Sequence, residues 1–221
     1  MVKPALRGDC VDAELVEKVK SVLSEAPERN FLESIELAMN LKNVDMSKPT
    51  NRVDVEVVLP HGTGKALKIG VFAKGEAALR AEGAGADVID PTAIDELGAD
   101  KKKARRTTME DDMFIAEAQY MPQIGKAMGA LLGPRGKMPT PLTPDKDVVG
   151  VIEKLRTSIR LRSKDKTTFH ASVGRADMEP TAIAENIDAV LSRLSGVLPR
   201  GNQNIKSVYI STTMGPSVRV M

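Results

Sequence analysis

The sequence predicts a mixed α/β and α+β protein of two domains. One is a discontinuous α+β domain assembled from both termini, and the other is a three-layer α/β domain inserted into it. Three observations carry this expectation. Half-buried strands and amphipathic helices fill residues 1–66 and return in 157–221, whereas 67–156 alternates short apolar strands with helices. A chain of 221 residues has room for two modest cores. Two crossings, near Gly62–Ala66 and near Arg156–Ser158, mark where one pattern gives way to the other, so Gly62, Gly64, Thr157 and Ser158 are the expected hinge.

The first segment opens with an amphipathic helix over Val11–Leu23. Val11, Leu15, Val16, Val19, Val22 and Leu23 share one face, Asp9 or Asp12 caps it and Pro27 stops it. From Asn30 to Leu41, Phe31, Ile35, Leu37, Met39 and Leu41 fall at odd positions with Ser34, Glu36 and Asn40 between them. That alternation describes a strand with one wet face, a helix being the competing reading. Val53, Val55, Val57 and Leu59 alternate with Arg52, Asp54 and Glu56 in a second half-buried strand.

Pro60-His61-Gly62-Thr63-Gly64-Lys65 ends that strand and shares Gly-Thr-Gly-Lys with phosphate-binding loops. Leu59 and Ala66 break the required spacing, so a linker is the better reading. The insertion then reads as strand Ile69–Ala73, helix Gly75–Ala84, strand Asp87–Asp90, helix Pro91–Leu97, strand Met113–Ala118, helix Met121–Leu132 and helix Val148–Arg156. Repeated β-α units of this size imply a Rossmann-like parallel sheet between helical layers. No Gly-x-Gly-x-x-Gly follows any of its strands, which argues against a dinucleotide site. The basic run Lys101-Lys102-Lys103-Ala104-Arg105-Arg106 reads equally as a solvated helix face or as an anion-facing patch. Gly133 to Pro141, with three prolines and two cations, is expected to be a rigid exposed loop positioned to touch phosphates.

After Thr157 the alternation returns. Ile159 and Leu161 alternate with Arg160, Arg162, Lys164 and Lys166, which places four cations on one side of one extended segment. A hairpin at Lys164–Thr167 leads into Phe169, Ala171 and Val173, with Thr168, His170 and Ser172 opposite. Pro180 opens a helix whose stripe is Ile183, Ala184, Ile187, Val190, Leu191 and Leu194, with Gly196 as its carboxyl cap. Ile205–Ile210 is a strand, Ser211–Ser217 an uncharged turn broken by Gly215-Pro216, and Val218 and Val220 resume the alternation. An exposed Met214 beside a glycine suits close approach to a flat or sugar-rich partner.

Composition narrows the function. Aromatics are only 3% and tryptophan is absent, which argues against base stacking along single strands. No apolar stretch approaches a membrane span, and the opening residues lack a signal-peptide core. One cysteine, Cys10, excludes an internal disulfide, and two histidines with it make a zinc site implausible, so no metal or cofactor is expected. The net charge of +2 is uneven: 157–221 carries 9 basic and 5 acidic residues, against 9 and 11 in 1–66. No nucleophile–base pair is evident, so no catalytic residue is expected. The rival reading is a small α/β enzyme holding a phosphorylated ligand at Gly62–Lys65 or Gly133–Lys137.

Three spaced motifs carry a resemblance along nearly the whole chain. They are Val58-Leu59-Pro60-His61-Gly62-Thr63-Gly64-Lys65, Ile124-Gly125-Lys126 through Leu131-Leu132-Gly133-Pro134-Arg135-Gly136-Lys137-Met138-Pro139, and Thr212-Thr213-Met214-Gly215-Pro216. Together they resemble the archaeal-type large-subunit ribosomal protein L-one family, proteins of the ribosomal stalk. The resemblance implies a hinged pair of domains and a cytoplasmic, ribosome-bound protein, monomeric when free. Its implied partners are large-subunit rRNA, the protein's own mRNA, whose translation many members repress, and transiently the exit-site tRNA. The family's RNA-contacting motif positions fall on Phe31, Ser34 and Glu36, on Lys164, Asp165, Lys166, Thr168 and His170, and on Ser211, Thr213, Met214 and Gly215. Ser34 stands where threonine is common. Arg160 and Arg162 join this set as salt-dependent phosphate contacts, and Thr213, Met214 and Gly215 suit readout of 2′-hydroxyls and shape.

Overall fold

A computed structural model describes residues 13–27, 29–48, 51–143 and 147–221. The expected caps Asp9 and Asp12, with Cys10 and Val11, lie outside the described residues. Two compact units emerge, one from residues up to Lys65 with Thr157–Met221, the other Ala66–Arg156. The first segment supplies α1 (Ala13–Glu25), β1 (Ser34–Leu41) and β2 (Asp54–Val58). The middle supplies β3 (Ile69–Phe72), α2 (Glu76–Gly83), β4 (Asp87–Ile89), α3 (Ala93–Ala99), α4 (Lys101–Glu110), β5 (Met113–Glu117), α5 (Met121–Arg135), β6 (Thr140–Leu142) and α6 (Val148–Thr157). The last segment adds β7 (Ser158–Arg162), β8 (Thr168–Arg175), α7 (Pro180–Val197), β9 (Ile205–Thr212) and β10 (Ser217–Arg219).

In the first unit an antiparallel sheet runs in the order β10-β9-β1-β8. The amino-terminal strand β1 thus lies between two carboxy-terminal strands, so both ends of the chain are needed to close its ladders. Period-2 patterning sends Ile35, Leu37, Met39 and Leu41 inward, where they join Val208, Ile210, Phe169 and Val173. Leu15, Val19 and Val22 of α1 and the stripe of α7 from Ile183 to Leu194 cover that face. A separate two-stranded ribbon, β2 with β7, packs Val57, Leu59 and Leu161 into the same core.

The second unit is a parallel sheet of order β4-β3-β5-β6. Ile69, Val71 and Ile115 pack on one side with Ala81 of α2 and Ile152 and Leu155 of α6. Phe72, Phe114 and Ala116 pack on the other with Ile94, Ala104, Ile124 and Met128 of α3, α4 and α5. These are the expected three layers.

Several local expectations are corrected. Phe31 and Leu32 precede β1 and are exposed, because ladder pairing begins only at Ser34. Gly133–Arg135 are helical rather than loop: Pro134 falls in the last turn of α5, and Gly136 closes the helix in the left-handed region at φ 71°. Pro141 sits in β6, an edge strand, where a missing N–H costs no ladder bond. Gly196 lies inside α7 rather than capping it. The helix ends at Val197 because Leu198, preceding Pro199, is held extended. The expected hairpin at Lys164–Thr167 is not a paired one, since β7 and β8 belong to different sheets.

Candidate RNA-binding face

The helices leave the other face of the antiparallel sheet uncovered among the described residues. The ladder register puts its outward residues in rows: Ser211, Glu36 and Ser172; Tyr209, Ala38 and His170; Ser207, Asn40 and Thr168. Apart from the Glu36 carboxylate and the His170 imidazole, these side chains are small, hydroxylated or amide-bearing, and three of them bond in a chain. The Thr168 hydroxyl donates to Asn40 Oδ1 at 2.7 Å, and Asn40 Nδ2 donates to Ser207 Oγ at 2.9 Å. The result is a flat polar floor. Tyr209, Asn40 and Ser172 are outside the expected contact set, although the alternation places Asn40 and Ser172 on the wet sides of their strands; Tyr209 shares the same signal, even spacing along a strand whose alternate residues are buried.

One end of this face is closed by a side-chain latch. The Ser34 N–H donates to Thr213 Oγ1 at 3.1 Å, and that hydroxyl donates to the Ser34 carbonyl at 3.2 Å. Thr213 thereby extends the β1–β9 pairing beyond Thr212 with its side chain, freeing the backbone of 213–216 to turn. One lone pair of its hydroxyl remains to accept a further bond. The turn presents Met214 at 59% exposure, and Phe31, three residues before Ser34, stands at 53% at the same end. Single exposed apolar side chains are ordinary on a protein surface; what marks these two is that both stand at the latched end of the polar floor. Gly215 has an internal reason to be glycine: an added Cβ would collide with Thr212 Oγ1, which is buried without a hydrogen-bond partner.

The structure therefore brings together Phe31, Ser34, Glu36, Ser211, Thr213, Met214 and Gly215. Lys164, Asp165, Lys166 and Thr168 lie toward the opposite end of the sheet, about 20 Å away at the rise of six strand residues. His170 sits between the two groups. The four cations expected on one extended segment are divided. The strand ends at Arg162, and Lys164 adopts a left-handed φ of 47° in the turn that follows. Lys164 and Lys166 are exposed there, whereas Asp165 pairs with Arg52 at 2.7 Å.

Arg160 and Arg162 project from the β2–β7 ribbon instead. Asp54, opposite Arg162 in the ladder, takes both nitrogens of the Arg160 fork, at 2.6 and 2.8 Å. Arg162 Nε lies 3.8 Å from the same carboxylate. The Arg160 hydrogen bonds hold the Asp54 carboxyl below its ordinary range, against the opposing effect of burial, and the pair raises the Arg160 guanidinium in turn. These two arginines are already neutralised in part.

Of the expected hinge residues, Gly62 and Gly64 have φ of 62° and 72° and are held within the first unit. Asn186 Nδ2 donates to the Gly62 carbonyl at 2.8 Å, and Arg175 Nη1 to that of Gly64 at 3.3 Å. Thr157 ends α6 and Ser158 opens β7, its hydroxyl donating to Glu56 at 2.9 Å.

The stretches offered for a phosphorylated ligand are otherwise engaged. Lys137, expected to face phosphates, instead donates Nζ to the carbonyls of Thr108 at 3.0 Å and Asp111 at 2.6 Å, satisfying the carboxyl end of α4. Among the described residues no cluster of three His, Cys, Asp or Glu is placed to hold a metal, and no helix is long and apolar enough to cross a membrane.

The profile of the ribosomal protein L1p/L10e family matches residues 22–216. The chain is 56% identical over 212 residues to the large ribosomal subunit protein uL1 of Methanosarcina mazei, covering 96% of this chain and 100% of that protein. It is 57% identical over 212 residues to uL1 of Methanococcoides burtonii, with the same coverage. To uL1 of Haloferax volcanii it is 50% identical over 206 residues, or 93% of this chain and 97% of that protein. With its two-unit α/β architecture and its profile match, the chain belongs to the ribosomal protein L1p/L10e family.

Proposed function

We propose that the chain is a structural protein of the large ribosomal subunit, cytoplasmic and ribosome-bound, that grips folded rRNA with the open face of β1, β8 and β9. The terminal unit is the RNA-binding domain of this reading, and the crossings at 62–66 and 156–158 are its hinge to the inserted domain. It serves in the stalk beside the tRNA exit site, meeting exit-site tRNA transiently, and the same face binds the chain's own mRNA to repress translation. The observation that carries the reading is the latch of Thr213 on Ser34 at the end of a polar floor, with Met214 and Phe31 exposed beside it. A flat floor about 20 Å long suits the wide, shallow minor groove of A-form RNA, where 2′-hydroxyls are displayed. The polar floor supplies shape and hydroxyl readout, and Lys164 and Lys166 at its far end supply phosphate attraction.

The test is a competition titration of the full chain with a folded rRNA fragment and a fragment of its own messenger. The rRNA should displace the messenger completely, with a preference of about 2–3 kcal/mol, roughly thirty- to more than a hundredfold. Met214→Asp should lose both RNAs together while its melting temperature stays put, because Met214 is exposed. Simultaneous binding of the two RNAs, or a variant that loses only one, would overturn the shared face. Failure of either fragment to bind better than a scrambled RNA would overturn the reading itself.

A further inference from the structure

The basic run of the inserted unit lies on α4, and its geometry is not that of an ordinary solvated helix. At 100° per residue, Lys101, Arg105, Met109, Lys102 and Arg106 fall within an arc of about 140°. Ala104 and Thr108 turn toward the core on the side that borders this arc next to Lys101, so the arc fills the exposed flank of the helix. Lys103 is drawn off to Glu96 at 3.3 Å and Arg106 to Glu110 at 2.9 Å, both at the rim. Lys101, Lys102 and Arg105 are exposed and have no acidic partner among the described residues. Met109 stands at 63% exposure in the middle of the arc.

The charge order also runs against the helix. No acidic residue lies in the first turn of α4 and no basic one in its last, while three lysines open it and Glu110 closes it. A helix dipole favours the reverse arrangement. The helix compensates from elsewhere: Asp100 accepts from the N–H groups of Lys102 and Lys103, and Lys137 reaches across to the carboxyl-end carbonyls. The cations are thus kept at this place at a cost to the helix that carries them. Lys101 and Arg105 are one turn apart, about 6 Å along the axis, so the arc offers a short file of positive charge with an apolar centre.

We infer that this face of α4 is a second RNA-binding surface, one that holds the phosphate backbone of a helical RNA without reading its sequence, independently of the open sheet face of the terminal unit. Charge complementarity selects the partner, since three cations without acidic partners, spread over about 100° of one helix face, match a regular polyanion.

The experiment titrates the full chain and its Lys101→Ala/Lys102→Ala/Arg105→Ala variant with a short blunt RNA duplex, over a range of potassium chloride concentrations. The variant should bind about tenfold or more weakly at low salt, and its log–log salt slope should become shallower by about two to three. Its melting temperature should hold or rise, since the dipole is relieved. Lys101→Arg/Lys102→Arg should retain both the affinity and the slope. An unchanged slope in the triple variant would overturn the assignment, and so would equal weakening toward polyglutamate. On a Met214→Asp background the triple substitution should still weaken duplex binding by the same factor and flatten the slope by the same amount, so failure here and failure of the sheet-face reading show in different measurements.

Discussion

The two four-stranded sheets of this molecule differ in how much of each is covered. In β1 every second residue is buried, whereas all four residues of β3 are. Helices lie against one face of the antiparallel sheet and both faces of the parallel one. A sheet with a bare face can present a broad, flat, polar floor to RNA. One enclosed on both sides offers a partner only its helices, its loops and its strand ends. That is why the residues proposed for recognition in the terminal unit lie on strands and in the turns at their ends, and why the inserted unit's candidate surface lies on α4.

The largest effects should come from cutting each core. Leu37→Ala and Ile115→Ala each remove a fully buried side chain at a sheet centre and should cost about 2–5 kcal/mol. Leu37→Ala is expected to melt the terminal unit early and abolish binding of the folded rRNA fragment. Ile115→Ala should lower only the inserted unit's transition and leave that affinity within about tenfold. Calorimetry with a parallel titration checks both. Loss of specific binding on Ile115→Ala would break the contrast, because it would make the enclosed sheet part of the recognition surface.

A smaller effect separates the units by pH. Asp111 of the inserted unit is buried, which raises its carboxyl to about 6, with the neighbouring Asp87 pushing the same way by hydrogen bond and charge. Between its ordinary 3.8 and about 6 the folded state holds a proton that the unfolded chain has released. Stability from this group is therefore full below that window, falls as pH rises through it, and is gone above. The inserted unit should gain up to about 3 kcal/mol on acidification across the window. Asp111→Asn should flatten that dependence and raise stability at neutral pH, as read from denaturant midpoints. A profile left unchanged by the substitution would remove Asp111 as its source.

Much of this architecture was legible because side-chain period reports burial directly. The odd-numbered run from Ile35 to Leu41 gave the strand and its wet face, and the β-α alternation gave the enclosed sheet. Partners were not legible, because pairing is decided far away in sequence. Nothing local says that β7 pairs with β2 rather than β8, or that Asp54 would claim Arg160. Caps failed for a related reason. Pro134 reads as a breaker unless the helix is known to end one residue later, and Lys137 reads as free until the carbonyls of α4 are found beneath it. The Thr213 latch was invisible too, since a threonine that completes a ladder through its hydroxyl looks like any other turn threonine.

The smallest effects lie among the cations of the terminal unit, and they sharpen the contrast between charge that is displayed and charge that is spent. Lys164 and Lys166 are exposed in a turn, whereas Arg160 is bound by both nitrogens to Asp54. A phosphate competing for Arg160 must displace a carboxylate already in place, so the gain from each new contact is largely cancelled by the bond lost. Lys164→Ala and Lys166→Ala should each weaken binding to every RNA and make the salt slope shallower by about one. Arg160→Ala should leave the slope nearly unchanged and cost no more than about 1 kcal/mol of stability, as a largely exposed pair does. Asp54→Ala provides the converse. It releases Arg160 and Arg162 together, and should tighten binding to any RNA and steepen the slope by up to about two. If Arg160→Ala flattens the slope as much as Lys164→Ala does, the ribbon of β2 and β7 contacts RNA despite its ion pair. The footprint would then extend past the edge of the open sheet.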